Sequence, residues 1–196
     1  MCDIDIVTVA HNNHNKKLAE YLLAELSRVE NGFSFYVHDN SVENLGFAKG
    51  CNRGAFREGA QAPLIGFLNP DVSVQGKFIH SVKQILTAKD TVITGNRYRK
   101  PDRELREWGV TDWVCGACFF VRRDWFTEKG GFDETYVWAW EETDLIRQAE
   151  SEGKRVVSTA LPIFHQSPTI EPPEDSRYKR EHFGAGREYF YRKWAH

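Results

Sequence analysis

Three stretches of the 196-residue chain carry side chains whose types and spacing could do chemistry. The apolar run "APLIGFL" stops on Asn69-Pro70-Asp71. Proline cannot extend a ladder, so Pro70 ends strand pairing and stiffens the turn that presents Asp71. A carboxylate held this way suits a hard divalent cation carrying phosphate oxygens, although Asn, Pro and Asp are also ordinary turn residues. The stretch "WEETDL" groups Glu141, Glu142 and Asp144. On a helix, Glu141 and Asp144 share a face and Glu142 points elsewhere, and all three suit a first turn through the helix dipole whatever their function. Tyr136, Trp138 and Trp140 precede them. These rings make Trp138 and Trp140 candidates for a sugar platform, and their bulk would desolvate a carboxylate toward a general base's working range. In the third stretch, Gly46, Gly50 and Gly54 fall four apart, which bares one helical face for close approach to a strand or a ligand, with Asn44 and Asn52 alongside as polar candidates. The run "GFAKGCNRG" is neither a P-loop nor a dinucleotide fingerprint.

These residues need elements to position them. Ile4 to Ala10 reads as a strand, and "NKKLAEYLLAELSRV" repeats Leu18, Leu22 and Leu26 at helical spacing. A strand "FSFYVH", a helix "GFAKGCNRGAFREG", a strand "APLIGFL" and an amphipathic helix "KFIHSVKQILTA" follow. The alternation predicts an α/β fold with a mainly parallel sheet flanked by helices, and ligands in such sheets bind beyond the carboxyl ends of the strands. Asn69 to Asp71 would stand at such an end. In the second half, "TVIT" predicts a strand, "GNRYRKPDRELREWG" a polar loop and "WVCGACFFVRR" a longer strand. "WEETDLIRQAESEG" predicts a helix closed by Gly153, "KRVVSTALPIFH" a strand, and Pro168, Pro172 and Pro173 a loop.

Composition narrows the function classes. With 26 basic and 28 acidic residues the net charge is -2, which gives no global attraction to nucleic acid or anionic membrane. The 41% hydrophobic content is enough for one core. The four cysteines, Cys2, Cys51, Cys115 and Cys118, are too few and too unevenly placed for a disulfide scaffold. Cys115 and Cys118 form a C-x-x-C inside an apolar run, which reads as two buried thiols. With no secretory leader pattern and no membrane-spanning run, a cytoplasmic location is expected.

Taken in order, "DNSVENLGFAKGCNRGA", "FLNPDV" and "GACFFVRRDWFTEKGGFDETYVWAWEETDL", followed by a C-terminal "YFYRKW", resemble the family-2 glycosyltransferases and in particular their rhamnosyltransferase-like branch. The resemblance implies a single GT-A domain, with residues 1–95 as a nucleotide-binding half, 96–176 as an acceptor and catalytic half, and 177–196 as a basic aromatic C-terminal segment. It implies an inverting, metal-dependent hexosyl- or deoxyhexosyl-transferase that uses a nucleotide-diphosphate sugar. Thr8, Ala10, Asn12 and Asp39 would then lie about the nucleoside, Asn44, Gly46, Asn52 and Asn69 would complete the nucleotide site, and Asp71 with His165 of "PIFHQS" would hold Mn²⁺ or Mg²⁺. Imidazole favours manganese. Glu142 takes the family position of the base. Two departures stand out: Ser41 and Asn44 are nearly adjacent where the family has a further strand, and Glu142 replaces an aspartate.

Other readings remain open at the sequence. A non-catalytic nucleotide-sugar or glycan-binding module could keep this fold with a reduced pocket. The tail from Arg177 to His196, with six Lys/Arg against two Glu among aromatic residues, could contact nucleic acid, either in simple binding or for sugar transfer to a base, or dock as an amphipathic helix. The basic loop from Arg97 to Arg106 could cover a donor or select an acceptor. The acceptor is a hydroxyl of a glycan, or of a nucleic acid or protein, and the oligomeric state is not legible.

Overall fold

A computed structural model describes residues 2–97, 103–107, 109–166 and 173–195. Its main sheet has six strands: β1 (Ile4–Ala10), β2 (Phe33–Asp39), β3 (Leu64–Leu68), β5 (Thr91–Asn96), β6 (Cys118–Arg122) and β7 (Arg155–Thr159), in the order β2-β1-β3-β6-β5-β7. β1 runs parallel to β2 and β3, and β5 parallel to β7. β6 alone runs against its neighbours. The α/β architecture expected from the alternation of strand and helix patterns is therefore present, with one reversed strand that short apolar runs cannot announce. Two short strands, β4 (Val72–Val74) and β8 (Ile163–His165), pair antiparallel beside it.

Helices α1 (Asn13–Val29), α2 (Phe47–Ala55), α3 (Ile79–Thr87), α4 (Arg103–Glu107), α5 (Arg123–Glu128), α6 (Glu141–Ser151) and α7 (Pro173–Trp194) complete the chain. One core holds Val7, Val9, Cys51, Phe67, Phe119, Tyr136, Ile146 and Phe190. A second holds Ile4, Ile6, Leu22, Leu26, Phe78 and Phe120. β1 and β3 are buried along their whole length and feed both cores, which is why they read as continuous apolar runs rather than alternating ones. Asp5, 3% exposed within β1, is matched by Arg123 at 2.6 Å and Arg57 at 3.2 Å, so a buried charge is paired twice.

Three element expectations need correction. The run 113–123 is not one strand: the Cys118 amide donates to the Cys115 carbonyl at 3.0 Å in a turn through Gly116 and Ala117, β6 begins only at Cys118, and Arg123 opens α5. The run 154–165 breaks into β7 and β8 around Pro162, which has no amide to continue a ladder. The loop expected over 95–109 contains α4, while residues 98–102 and 108 of that segment lie outside those described. Pro168 and Pro172 are likewise outside them, and Pro173 opens α7, where proline suits a first turn. Gly153 closes α6 in the left-handed region (φ 69°), as read.

Candidate active site

The strand β3 does end at Leu68, and the Val72 amide closes a turn on the Asn69 carbonyl at 3.3 Å before β4 begins. The β4–β8 pairing sets Val72 opposite His165. His165 Nε2 consequently lies 3.2 Å from Asp71 Oδ2, with each side chain about a quarter exposed. Two residues 94 positions apart are thus joined at one strand end. Asn96, which sequence reasoning missed, latches this arrangement: its amide donates to the Ile163 carbonyl at 2.5 Å and accepts from the Leu161 amide at 2.6 Å. Nothing in the sequence marked it, because a strand-end asparagine has many uses.

Glu142 approaches from the other side. A Cβ built on Gly116 would stand 3.2 Å from the Glu142 carboxyl carbon, so the carboxyl rests against bare backbone. Ala117, next in that turn, accepts from the Asn69 amide at 3.0 Å. The chain of contacts Glu142, Gly116-Ala117, Asn69-Pro70-Asp71 and His165 places the candidate base and the candidate cation ligands around the end of β3. Glu141, beside Glu142, is 5% exposed, and its carboxyl is pushed well above the usual range by burial and by the Glu142 charge. Ala139 and Trp140, which deliver this pair, both have positive φ (61° and 77°) without being glycine, a strained turn of the kind found at functional sites.

Asp144, grouped with these acids by sequence, has another task. Its carboxylate accepts from Tyr136 Oη at 3.0 Å, Trp194 Nε1 at 2.8 Å and Lys193 Nζ at 2.8 Å. These bonds dock α7, aided by Asp133, which accepts from Tyr189 at 2.9 Å and Lys193 at 2.8 Å. Trp140 is half-buried under the same helix, with the rings of Phe183, Phe190 and Tyr191 at 5.6, 5.3 and 5.9 Å, so it is a packing residue and not an open platform. Trp138 lies instead toward the strand ends, tilted against His11 at 5.7 Å. The aromatic side chains of the tail accordingly serve a docked helix.

Of the expected nucleotide residues, Thr8, Ala10, Asn12 and Asp39 lie in or next to the C-terminal parts of β1 and β2, where the register sets Ala10 opposite Asp39, whereas Asn52 lies within α2 and Asn69 follows β3. Thr8 is buried with its hydroxyl unpartnered among the described residues. Several of the others are engaged locally. Asn12 caps α1 by accepting from the Asn15 amide at 2.9 Å. Asp39 meets Lys16 at 2.6 Å and the Ser41 amide at 2.9 Å, which hold its carboxyl far below the usual range. Asn44 accepts from the Gly46 amide at 3.1 Å. Asn52 is buried and clamps Phe132, accepting from its amide at 2.9 Å and donating to its carbonyl at 2.8 Å. Gly46 is needed as glycine: φ is 83° and a Cβ would meet the Val137 carbonyl at 2.8 Å. At Gly54 a Cβ would fall 2.3 Å from Val7, so the bare face of α2 serves strand packing. The residues between β2 and α2 hold no strand, in keeping with the short Ser41–Asn44 spacing.

No family model matches the sequence, and no curated protein matches it. Solved structures do. A mannosyltransferase from Pyrobaculum calidifontis in complex with GDP-Man and Mn²⁺ superposes with a TM-score of 0.71 at 13% identity, covering 95% of this chain and 64% of that one. The catalytic domain of Drosophila β1,4-galactosyltransferase 7 in complex with xylobiose gives 0.59 at 13% identity, over 92% and 80%. The S. aureus TarS 1–349 complex with UDP gives 0.60 at 11%, over 95% and 65%. The fold is that of the GT-A glycosyltransferases. The chain spans somewhat under two thirds of the mannosyltransferase and of TarS. In GT-A terms, the Asp71–His165 pair and Glu142 stand beyond the carboxyl end of a central strand, where α/β sheets bind their ligands.

Proposed function

We propose that this chain transfers a sugar from a nucleotide-diphosphate donor to an acceptor hydroxyl with inversion. The observation that carries the reading is the convergence of Asp71, His165 and Glu142 at the end of β3, from three separate parts of the sequence. The fold supports it, since neighbours of the same fold are complexes with GDP-Man and Mn²⁺, and with manganese, UDP-Gal and xylobiose. The finer assignment to family 2 and its rhamnosyltransferase-like branch rests on the sequence motifs.

The donor set fits a divalent cation. A carboxylate and an imidazole in contact, each partly exposed, offer two ligands and leave positions for diphosphate oxygens and water. Imidazole tilts the preference from Mg²⁺ to Mn²⁺. When bound, the cation supplies electrostatic stabilisation of the leaving diphosphate, a contribution of several kcal/mol in sites of this kind. Glu142 takes the acceptor hydroxyl proton as that oxygen attacks the anomeric carbon opposite the diphosphate. Thr8, Ala10 and Asp39 line the nucleoside side, with Trp138 toward the sugar or acceptor.

Calorimetry with UDP, GDP and dTDP, each with and without Mn²⁺, on wild type and Asp71→Ala, tests the donor half. Metal-dependent binding of one nucleotide, lost in the variant, is expected. Absence of binding to all three, with turnover of no nucleotide sugar, overturns it. A second reading, a binding module without transfer, draws on the local engagement of Asn12, Asp39, Asn44 and Asn52. It predicts donor binding that Glu142→Gln leaves intact, with no sugar transferred by either protein.

A further inference from the structure

We propose that Glu141 is a carboxylic acid that keeps its proton at neutral pH, a positioning residue whose neutrality spares Glu142 a neighbouring negative charge. The inference rests on the reading of Glu142 as base for its consequence, though not for its test. Glu141 opens α6 and is 5% exposed, and its Oε2 is fully buried with no hydrogen-bond partner among the described residues. An ionised carboxylate can only accept, and a buried anionic oxygen that no donor reaches is far costlier than a buried hydroxyl.

Burial and the Glu142 carboxyl beside it raise the Glu141 carboxyl against the pull of its own backbone amide, and Glu141 in turn helps burial push up the Cys51 thiol of α2. No lysine, arginine or histidine is among the groups that shift Glu141. The nearby cations of α6 and α7 are committed elsewhere, Lys193 to Asp133 and Asp144, and Arg147 over the Trp194 ring at 4.8 Å. Two adjacent anions in a desolvated site would hold the proton on Glu142 and disable it as a base. A neutral Glu141 removes that repulsion. The left-handed Ala139-Trp140 turn starts α6, whose second residue, Glu142, lays its carboxyl against Gly116.

Carboxyl carbon-13 NMR of glutamate-labelled protein tests this, with the Glu141 signal assigned by its loss in Glu141→Gln. It is expected to stay in the acid form from pH 5 to 7. Because a folded-state value raised above the unfolded one of about 4.3 costs stability as pH rises past it, Glu141→Gln should gain Tm over wild type by roughly 3–5 °C per pH unit across this range. An ordinary glutamate midpoint for Glu141, or a Tm difference flat with pH, overturns the proposal. Should the glutamine variant fail to fold, the wild-type spectrum decides, since one glutamate carboxyl must remain un-ionised at pH 7. Neither measurement needs donor or acceptor, so failure of the sugar-transfer reading would show separately, as absent nucleotide binding.

Discussion

At the scale of single residues, Gly116 and Glu142 divide the work of seat and base. Glu142→Gln keeps size and removes basicity, so it should lower kcat by about 10²–10⁴-fold while leaving metal-dependent nucleotide binding unchanged. Gly116→Ala tests the seat. The new methyl would lie 3.2 Å from the Glu142 carboxyl carbon, close enough that the acid must shift by a few tenths of an ångström. Since a misplacement of about 1 Å can cost 10²-fold in rate, Gly116→Ala should reduce kcat more than it reduces Tm, measured on one preparation by initial rates and calorimetry. The acids of "WEETDL" show how far sequence reaches at this scale. Their types and helical position were legible, but their division of labour was not. Asp144 is taken by Tyr136, Lys193 and Trp194, two of which lie some 50 positions away and reach it only because α7 folds back. Asp71 with His165 is the reverse case: the pairing came from a resemblance in motif order, and the β4–β8 register supplies its geometry.

At the scale of elements, α7 is held by few but buried polar bonds. Asp144 is 3% exposed and gathers three donors, while Phe190 is fully buried and Trp140 lies against it. Asp144→Ala would take the acceptor from the Trp194 indole and the Tyr136 hydroxyl and leave the Lys193 ammonium with Asp133 alone. Lys193 is 32% exposed and keeps Asp133, so the loss should fall below the roughly 3–5 kcal/mol of a fully buried pair broken. The variant should therefore lower the urea midpoint without a change in slope if α7 unfolds with the rest, and with a shallower first transition if it peels away alone. Helical periodicity announced α1, α2, α3 and α6 because each buries one face. It overran β6 and merged β7 with β8, because an apolar run does not say where a turn reverses it. The Gly116-Ala117 turn and the Pro162 break were visible as residues, and only the paired strands show what they separate.

At the scale of the whole molecule, the mainly parallel α/β sheet followed from the strand and helix order and the GT-A expectation from the motif resemblance, whereas the reversed β6 depends on its pairing with β3 and β5 and the α7 closure on Asp133 and Asp144. That closure also sets the acid stability. Burial acts to raise the Asp133 carboxyl, but bonds from Lys193, Thr135 and Tyr189 outweigh it and bring it down to about 2. A folded-state value below the unfolded 3.8 means that the interaction stabilises fully above the unfolded value and is lost as pH falls toward 2. Glu141 acts in the opposite sense, relieving the fold as pH drops from neutrality toward its unfolded value, so these two carboxyls place their joint optimum on the acid side of neutral. Asp133→Asn separates the contributions. It should be less stable than wild type at pH 7, and the gap in Tm should close progressively between pH 4 and pH 2, because wild type alone loses the charge that holds Lys193. A gap that stays constant to pH 2 would mean that Asp133 serves α7 through its shape and hydrogen bonds, and that the acid sensitivity of the fold is set elsewhere.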